Sequence, residues 1–224
     1  MKNRSAARVR AQRRPNWQTK LLVAAGIAVL AVGFLSSPPT RSAADDQALA
    51  RATFAGGCFW CMEPPYDKVD GVVETISGFS GGHVADPSYR QVVAGGTGHI
   101  EVVQVVYDPS KVSYERLLEI YWRNVDPFQA DGQFCDRGEA YRTAIFAHDS
   151  AQENAARQSR QDVIALALED RPIDTRIINF DAFYPAEDYH QDYYEKNPVR
   201  YNYYRWRCGR DDRLEELWGD QAGG

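Results

Sequence analysis

Histidine and methionine are scarce in this chain of 224 residues, which holds four histidines and two methionines. The histidines are isolated from one another: His83, His99, His148 and His190. No second Cys-x-x-Cys pair follows the one that begins at Cys58. Zinc sites draw their ligands from such closely spaced pairs. The sequence therefore predicts no metal site.

A phosphate-binding loop and an excess of positive charge are also missing. The glycine-rich segment 95–98 lacks the Gly-Lys-Ser/Thr ending of a nucleotide loop and indicates a simple turn. Residues 1–44 hold eight of the 26 basic residues and no acidic one, so the rest of the chain carries 18 basic and 31 acidic side chains, a net charge of −13. An acidic domain is a poor partner for nucleic acid.

The first 44 residues differ in composition from the rest. Basic side chains precede an uncharged run of 15 residues from Leu21 to Leu35, and small residues follow at 36–44. A spanning helix usually needs about 20 apolar residues, so the pattern predicts an export signal over 1–44. An uncleaved membrane anchor is the alternative, because the basic segment can hold the cytoplasmic side. Both interpretations place the globular part outside the cytoplasm, which predicts a periplasmic protein.

Beyond the export segment the sequence predicts a linker at 45–50, one domain at 51–218 and a disordered end at 219–224. The strands are predicted at 52–55, 72–79, 100–107, 142–147 and 176–180. The helices are predicted at 58–69, 88–93, 113–125 and 150–170, the last with Ser150 and Glu153 as a capping box. This alternation predicts an α+β fold: a mixed β-sheet covered by helices in a two-layer, plait-like sandwich. No internal repeat or long apolar edge is present, and a monomer is expected.

Cys58 is the candidate nucleophile, because it follows a glycine pair at a predicted helix start. Unpaired N–H groups and the helix dipole favour a thiolate there. Phe59 and Trp60 could form an apolar wall for a methyl or thioether group, although core packing also explains two such rings. Cys58 and Cys61 have redox spacing, so a disulfide exchanger is a competing prediction. A binding module for oxidised or methionine-rich surfaces is a third.

Further motifs follow these in order along the chain. They are Gly57-Cys58-Phe59-Trp60 with Glu63, Gly81-Gly82, Tyr89-Arg90, Gly96-Thr97-Gly98-His99-x-Glu101, Tyr107-Asp108-Pro109, Asp126-Pro127, Asp136-Arg137-Gly138 and Tyr141-Arg142. The series resembles the peptide methionine sulfoxide reductase A family over nearly the whole domain, from about Phe54 to beyond Pro198. The resemblance implies reduction of the S epimer of methionine sulfoxide, in oxidised proteins and peptides and as the free amino acid.

The resemblance also implies roles for individual residues. Cys58 attacks the sulfoxide sulfur and becomes a sulfenic acid, while Glu101 supplies the proton to the oxygen. Phe59 and Trp60 match the pocket for the substrate methyl group. Three residues match positions that hold the sulfoxide oxygen: Tyr89, Asp136 and Tyr141. This chemistry needs a raised pKa at Glu101 and a lowered pKa at Cys58.

Regeneration requires a second cysteine, which forms a disulfide that a thioredoxin-like donor reduces. The family often keeps that cysteine in a mobile C-terminal segment, so Cys208 is the first candidate. Cys61 replaces the glycine that usually follows the tryptophan, and Cys135 precedes Asp136. Either could replace or assist Cys208, and Cys61 could also be purely structural. The family uses no metal, flavin or nucleotide of its own.

Overall fold

The computed structural model describes residues 48–223, so the predicted export segment and residues 45–47 of the predicted linker lie outside the described range. The strands are β1 (Ala50–Gly56), β2 (Val72–Ser80), β3 (Ile100–Tyr107), β4 (Gly132–Gln133), β5 (Asp136–Arg137), β6 (Thr143–Ala147), β7 (Arg176–Asn179) and β8 (Phe183–Pro185). The helices are α1 (Glu63–Asp67), α2 (Tyr89–Ala94), α3 (Tyr114–Arg123), α4 (Ser150–Ala165), α5 (Tyr193–Lys196), α6 (Pro198–Arg207) and α7 (Arg210–Trp218). Within 48–223 no helix has the length and apolar character that crossing a membrane would require.

Six strands form one sheet in the order β7-β6-β1-β3-β2-β8, and β4 pairs with β5 in a separate hairpin. Strands β6 and β7 are parallel, while the other pairs in the large sheet are antiparallel. The sheet is therefore mixed, and the predicted α+β fold is confirmed.

The main core lies between this sheet and helices α1, α3, α4 and α7. All eight residues of β3 are buried, as the β-branched run of this central strand requires. Phe54 of β1 stacks on Tyr66 and Tyr121 at centroid separations of 5.4 and 5.3 Å. A smaller cluster of Ala, Val, Ile and Phe side chains forms a second apolar layer. This packing makes the sheet a rigid base for the side chains at its edge.

The end of α4 and its cap differ from the prediction. Asp149, not Ser150, caps the helix, because its carboxylate accepts the N–H of Gln152 at 2.8 Å. The helix ends at Ala165 rather than at Asp170. The predicted capping box is therefore wrong by one residue.

The tail also contains more structure than its composition indicates. A further strand, β8, follows the strand predicted to be the last, and three helices follow β8. Strand β1 begins at Ala50, within the predicted linker. Residues 219–221 form a 3-10 turn, and the N–H of Gly223 donates to the carbonyl of Arg123 at 3.0 Å. The prediction of a disordered end is therefore wrong for 219–223.

The sheet brings three chain segments together at one end of the strands β1, β3 and β6. Phe54 of β1 pairs with Val103 of β3 in antiparallel register, so β1 ends where β3 begins. Gly56 likewise pairs with Thr143 at the start of β6. The residue after a β1 end and the residues before β3 and β6 therefore meet. Cys58 lies two residues after β1, Glu101 is the second residue of β3, and Tyr141 lies two residues before β6, so all three lie at this end of the strands.

Candidate active site

Cys58 is held by a tight turn after β1. Gly57 has a φ of +81°, and a Cβ there would lie 2.5 Å from the Cβ of Gln133, so only glycine fits. Residues Phe59–Cys61 form a 3-10 turn, in which the N–H of Cys61 donates to the carbonyl of Cys58 at 3.0 Å. The two cysteines are therefore brought to the same side of one short turn, and both side chains are buried.

The structure contradicts the expected lowering of the Cys58 pKa. Burial raises the pKa of this thiol, and its contacts with Cys61 and the nearby Glu101 carboxyl raise it further. The turn that begins at Cys58 contains three residues, too few to build the dipole of a long helix. The prediction therefore overestimated how far the helix start lowers the Cys58 pKa, and it underestimated how far burial raises it.

The more acidic thiol of the pair is Cys61. A hydrogen bond from Cys58 and the positive charges of Arg210 and Arg205 lower the pKa of Cys61 to about 6, although burial opposes this. Arg210 is 1% exposed, and its guanidinium donates to the carbonyl of Asn124 at 2.6 Å. Because its partners are two carbonyls and the Met62 sulfur rather than carboxylates, its charge remains available to a thiolate. The two arginines therefore favour a negative charge on the thiol pair, and the contact with Cys58 favours that charge on the Cys61 sulfur.

Glu101 lies next to the turn that holds Cys58. Its Oε2 accepts the N–H of Phe59 at 3.0 Å, which fixes the carboxyl beside the residue that follows Cys58. The side chain is 1% exposed. Burial raises the pKa of Glu101 well above the usual carboxyl range, and the nearby Asp136 and Cys61 raise it further. The predicted raised pKa is therefore present, and the carboxyl is a proton donor at neutral pH.

Tyr89 and Tyr141 lie on the same side of the site as Glu101. Burial and the Glu101 carboxyl raise the pKa values of both hydroxyls, that of Tyr89 to about 12. Both hydroxyls therefore stay protonated and can donate to an oxygen atom. Asp136 of β5 accepts a short hydrogen bond from Tyr204 of α6, and burial raises its pKa.

Phe59 and Trp60 form an aromatic wall beside Cys58. Phe59 is buried, whereas Trp60 is half-buried and stacks on Tyr193 with 3.7 Å between ring centroids. The Trp60 Nε1–H donates to His190 Nδ1 at 3.1 Å, which holds the indole ring in place. His190 also contacts Phe59 and Tyr89 at centroid separations of 5.0 and 4.4 Å. An apolar group of methyl size can pack against this wall.

The other two cysteines are joined in a disulfide. Cys135 and Cys208 have Cα atoms 4.9 Å apart and are 73 residues apart in sequence. Cys208 caps the C-terminus of α6 instead of lying in an extended tail, and Cys135 is the last residue of the turn between β4 and β5. Among residues 48–223, the ligand atoms of these two cysteines and of Asp136 lie close enough together to bind a metal ion. Because the two sulfurs are bonded to each other, the Asp136 carboxylate is the one ligand of the three that is left.

The structure thus brings together all seven residues predicted for catalysis and substrate binding, with Cys61 beside Cys58. Sequence reasoning missed three neighbours of the site: Tyr204, Arg210 and His190. Tyr204 lies one helical turn before Cys208, but the tail showed no clear period. Arg210 reaches the site only through tertiary packing. The sequence shows His190 only as a histidine isolated from the other three.

Comparison with known proteins places this geometry in context. A family model described as peptide methionine sulfoxide reductase matches residues 50–222. The Vibrio cholerae protein named peptide methionine sulfoxide reductase MsrA/MsrB is 47% identical over 196 residues, which cover 86% of this chain and 52% of that protein. The Bacillus licheniformis protein named peptide methionine sulfoxide reductase MsrA is 48% identical over 168 residues, 75% of this chain and 93% of that protein.

A solved structure has the same fold. The crystal structure of Mxr1 from Saccharomyces cerevisiae in reduced form superposes with a TM-score of 0.63 at 32% sequence identity. The match covers 67% of this chain and 86% of that one. The chain therefore spans about half of the Vibrio protein and most of the Bacillus and yeast proteins.

Proposed function

The chain belongs to the peptide methionine sulfoxide reductase family, and we propose that Cys58 and Glu101 carry its chemistry. It is a peptide-methionine (S)-S-oxide reductase, an oxidoreductase that returns oxidised methionine to methionine. The observation that carries the assignment of roles is the hydrogen bond from the N–H of Phe59 to Glu101. It places a buried, protonated carboxyl next to a buried cysteine.

The first half-reaction transfers the sulfoxide oxygen to Cys58. The Cys58 sulfur attacks the substrate sulfur as its own proton passes to the Cys61 thiolate, and Glu101 donates a proton to the sulfoxide oxygen. The hydroxyls of Tyr89 and Tyr141 support that oxygen. The oxygen leaves the substrate on Cys58 as a sulfenic acid, and methionine is released. The methyl group of the substrate packs against the wall of Phe59 and Trp60.

The second half-reaction forms a disulfide, and Cys61 is its nucleophile. Its sulfur attacks the sulfenic sulfur of Cys58, a Cys58–Cys61 bond forms, and the oxygen leaves as water. Cys61 is favoured over Cys208 for two reasons: it contacts Cys58 directly, and Arg210 and Arg205 stabilise its thiolate. Cys208 and Cys135 are already bonded to each other in this structure.

Replacing Cys61 by serine tests this order. Protein with an intact Cys135–Cys208 disulfide is mixed with one equivalent of the S-sulfoxide. Because Cys61 also accepts the Cys58 proton, we expect Cys61→Ser to release one methionine per chain more slowly, and then to carry a Cys58 sulfenic acid that a dione reagent traps. The unmodified chain should instead lose both free thiols and give no trapped adduct. Mass spectrometry of the Cys58 peptide measures both results.

The variant in which serine replaces both Cys135 and Cys208 is the matched control. After one turnover it should form the Cys58–Cys61 disulfide as the unmodified chain does. If the double-serine variant instead kept a Cys58 sulfenic acid that the dione reagent traps after one turnover, the C-terminal pair would be the resolving one and the order above would be wrong.

Export is a further part of the proposal, supported by the composition of residues 1–44. The domain would then act in the periplasm on oxidised proteins and peptides, as a monomer and with electrons from a thioredoxin-like donor. The alternative is attachment to the membrane by an uncleaved N-terminal segment. We expect the protein, expressed whole in a Gram-negative bacterium, to be released by osmotic shock with its N-terminus shortened within 36–44. Full-length protein in the cytoplasmic fraction would contradict export, and full-length protein in the membrane fraction would support the anchor.

A further inference from the structure

Tyr189 is an exposed ring at the edge of the active site. It lies in the turn that follows β8, and 57% of its surface is exposed. Its ring centroid is 4.0 Å from that of the buried His190, and the His190 ring in turn contacts Phe59 and Tyr89. The rings therefore form a row that runs from the aromatic wall of the site to solvent. Of the exposed large apolar side chains among residues 48–223, Tyr189 is the one whose ring packs on a ring of the site.

The turn that carries Tyr189 is fixed on both sides. The Oε1 atom of Glu187 accepts the N–H of Tyr89 in α2 at 3.2 Å. The side-chain amide of Gln191 accepts the N–H of Ser77 in β2 at 2.8 Å and donates to the Ser77 carbonyl at 2.9 Å. Tyr189 therefore projects from a rigid support, so little conformational entropy is lost when its ring contacts a substrate.

An oxidised methionine within a polypeptide brings its neighbouring residues to the outer end of this row. Cys58 is 5% exposed, and only two methylene groups separate the sulfur of a methionine side chain from its backbone. When that sulfur reaches Cys58, the residues on either side of the oxidised methionine therefore remain at the mouth of the site. Tyr189 is the ring of the row that meets solvent there. A blocked single amino acid has no flanking residue and cannot use this contact.

Two carboxylates precede the exposed ring in the same turn. Partial desolvation and the nearby Glu187 carboxylate raise the pKa of the Tyr189 hydroxyl, and Asp188 is exposed to solvent. Neither carboxylate forms an ion pair with Lys or Arg within residues 48–223; the partner of Glu187 is His190 at 3.9 Å, and burial lowers the pKa of that imidazole. A basic side chain that packs on the ring would therefore gain a cation–π contact and two uncompensated negative charges.

We propose that Tyr189 binds a residue next to the oxidised methionine in a polypeptide, and that Glu187 and Asp188 favour Lys or Arg at that position. The proposal rests on the proposed function and specifies its substrate class, an oxidised methionine with a basic neighbour in the chain. Tyr189 contacts the flanking side chain rather than the sulfoxide. It therefore determines which substrate is preferred and leaves the chemistry at Cys58 unchanged.

Replacing the exposed ring tests this specificity. Tyr189→Ser is assayed with dithiothreitol on three S-sulfoxides: a blocked methionine sulfoxide and two peptides that carry either Lys or Glu on both sides of the oxidised methionine. We expect the unmodified chain to prefer the Lys peptide about 5-fold in kcat/KM, and Tyr189→Ser to lose about 2- to 5-fold on that peptide. The kcat/KM on the blocked amino acid should stay unchanged. The matched control is Tyr203→Ser in α6, which should leave all three values unchanged, because Tyr203 is 58% exposed and packs on Trp206 instead.

Asp188→Asn tests the contribution of charge, and it should reduce the preference for the Lys peptide while the ring stays in place. Equal kcat/KM on the two peptides in the unmodified chain, or no loss on the Lys peptide in Tyr189→Ser, would overturn the proposal. An equal loss on the blocked amino acid would also overturn it, because Tyr189 would then act by supporting His190. Failure of the unmodified chain to reduce any of the three substrates would instead contradict the proposed function, and this proposal with it.

Discussion

Replacing Cys58 by serine is expected to abolish methionine sulfoxide reduction, with a loss of about 10^4-fold or more in kcat, the size seen when a covalent nucleophile is removed. A serine hydroxyl at this buried position cannot ionise at neutral pH, and it cannot carry the oxygen as a stable sulfenic acid. The measurement is the release of methionine from a blocked S-sulfoxide with dithiothreitol as reductant. The loss should already be complete in the first turnover, because no product forms before Cys58 attacks.

Cys61→Ser supplies the comparison for this variant. It removes a thiol three residues away in the same turn, and it should still release one methionine per chain, although more slowly because the acceptor of the Cys58 proton is lost. The competing disulfide-exchange function would give a different pattern, since loss of either cysteine would abolish it. If Cys58→Ser still released one equivalent of methionine, another residue would be the nucleophile and the assignment of the site would be wrong.

Replacing Glu101 by glutamine is expected to lower kcat about 10^2- to 10^4-fold, the contribution usual for a positioned general acid. Glutamine keeps an oxygen that can accept the N–H of Phe59, so the turn at Cys58 should keep its geometry. It loses the proton that the sulfoxide oxygen needs. The circular dichroism spectrum and the unfolding temperature should therefore change little, while turnover falls.

The pH profile separates this role from a structural one. The thiol pair reacts when deprotonated, so the rate should rise with pH through the Cys61 pKa of about 6. Glu101 acts when protonated, so the rate should fall as pH rises through its raised pKa. In Glu101→Gln the rising limb should remain and the falling limb should disappear. A Glu101→Gln profile that kept both limbs would exclude Glu101 as the acid.

Glu63 provides a matched control for Glu101. It is also fully buried, and burial raises its pKa to about 7, but its Oε1 accepts the hydroxyl of Ser77. Glu63→Gln should therefore leave kcat and the falling limb close to those of the unmodified chain. An equal loss in both variants would indicate that a buried charge, and not proton donation, is what the reaction requires.

The fold could be predicted where one local pattern dominates. The β-branched run of β3 and the apolar face of α3 identify their own structure, and Ser113 caps α3 as predicted. The end of α4 could not be predicted, because Asp149 and Ser150 are both good caps and the choice depends on packing. The tail could not be predicted either, since Tyr201 and Tyr204 face inward while Tyr203 faces solvent, and aromatic residues on both sides hide the helical period.

The active site also has features that the sequence predicts and features that only the packing decides. The motifs identify Cys58, Glu101 and the tyrosines as members, and the sheet register then explains why they meet. The protonation states depend on tertiary contacts that no spacing reveals. Arg210 lies 149 residues after Cys61 in sequence, yet its buried charge lowers the pKa of Cys61. The sequence alone therefore could not show how tertiary contacts change the pKa values of the two thiols.

The most direct test of the account is a single turnover with the separate S and R epimers of a blocked methionine sulfoxide, followed by peptide mapping of the cysteines. With the S epimer, the account predicts one methionine per chain and a Cys58–Cys61 disulfide, with the Cys135–Cys208 bond unchanged. With the R epimer it predicts no methionine and two intact thiols. Equal reduction of both epimers, or methionine release with both thiols intact, would contradict it.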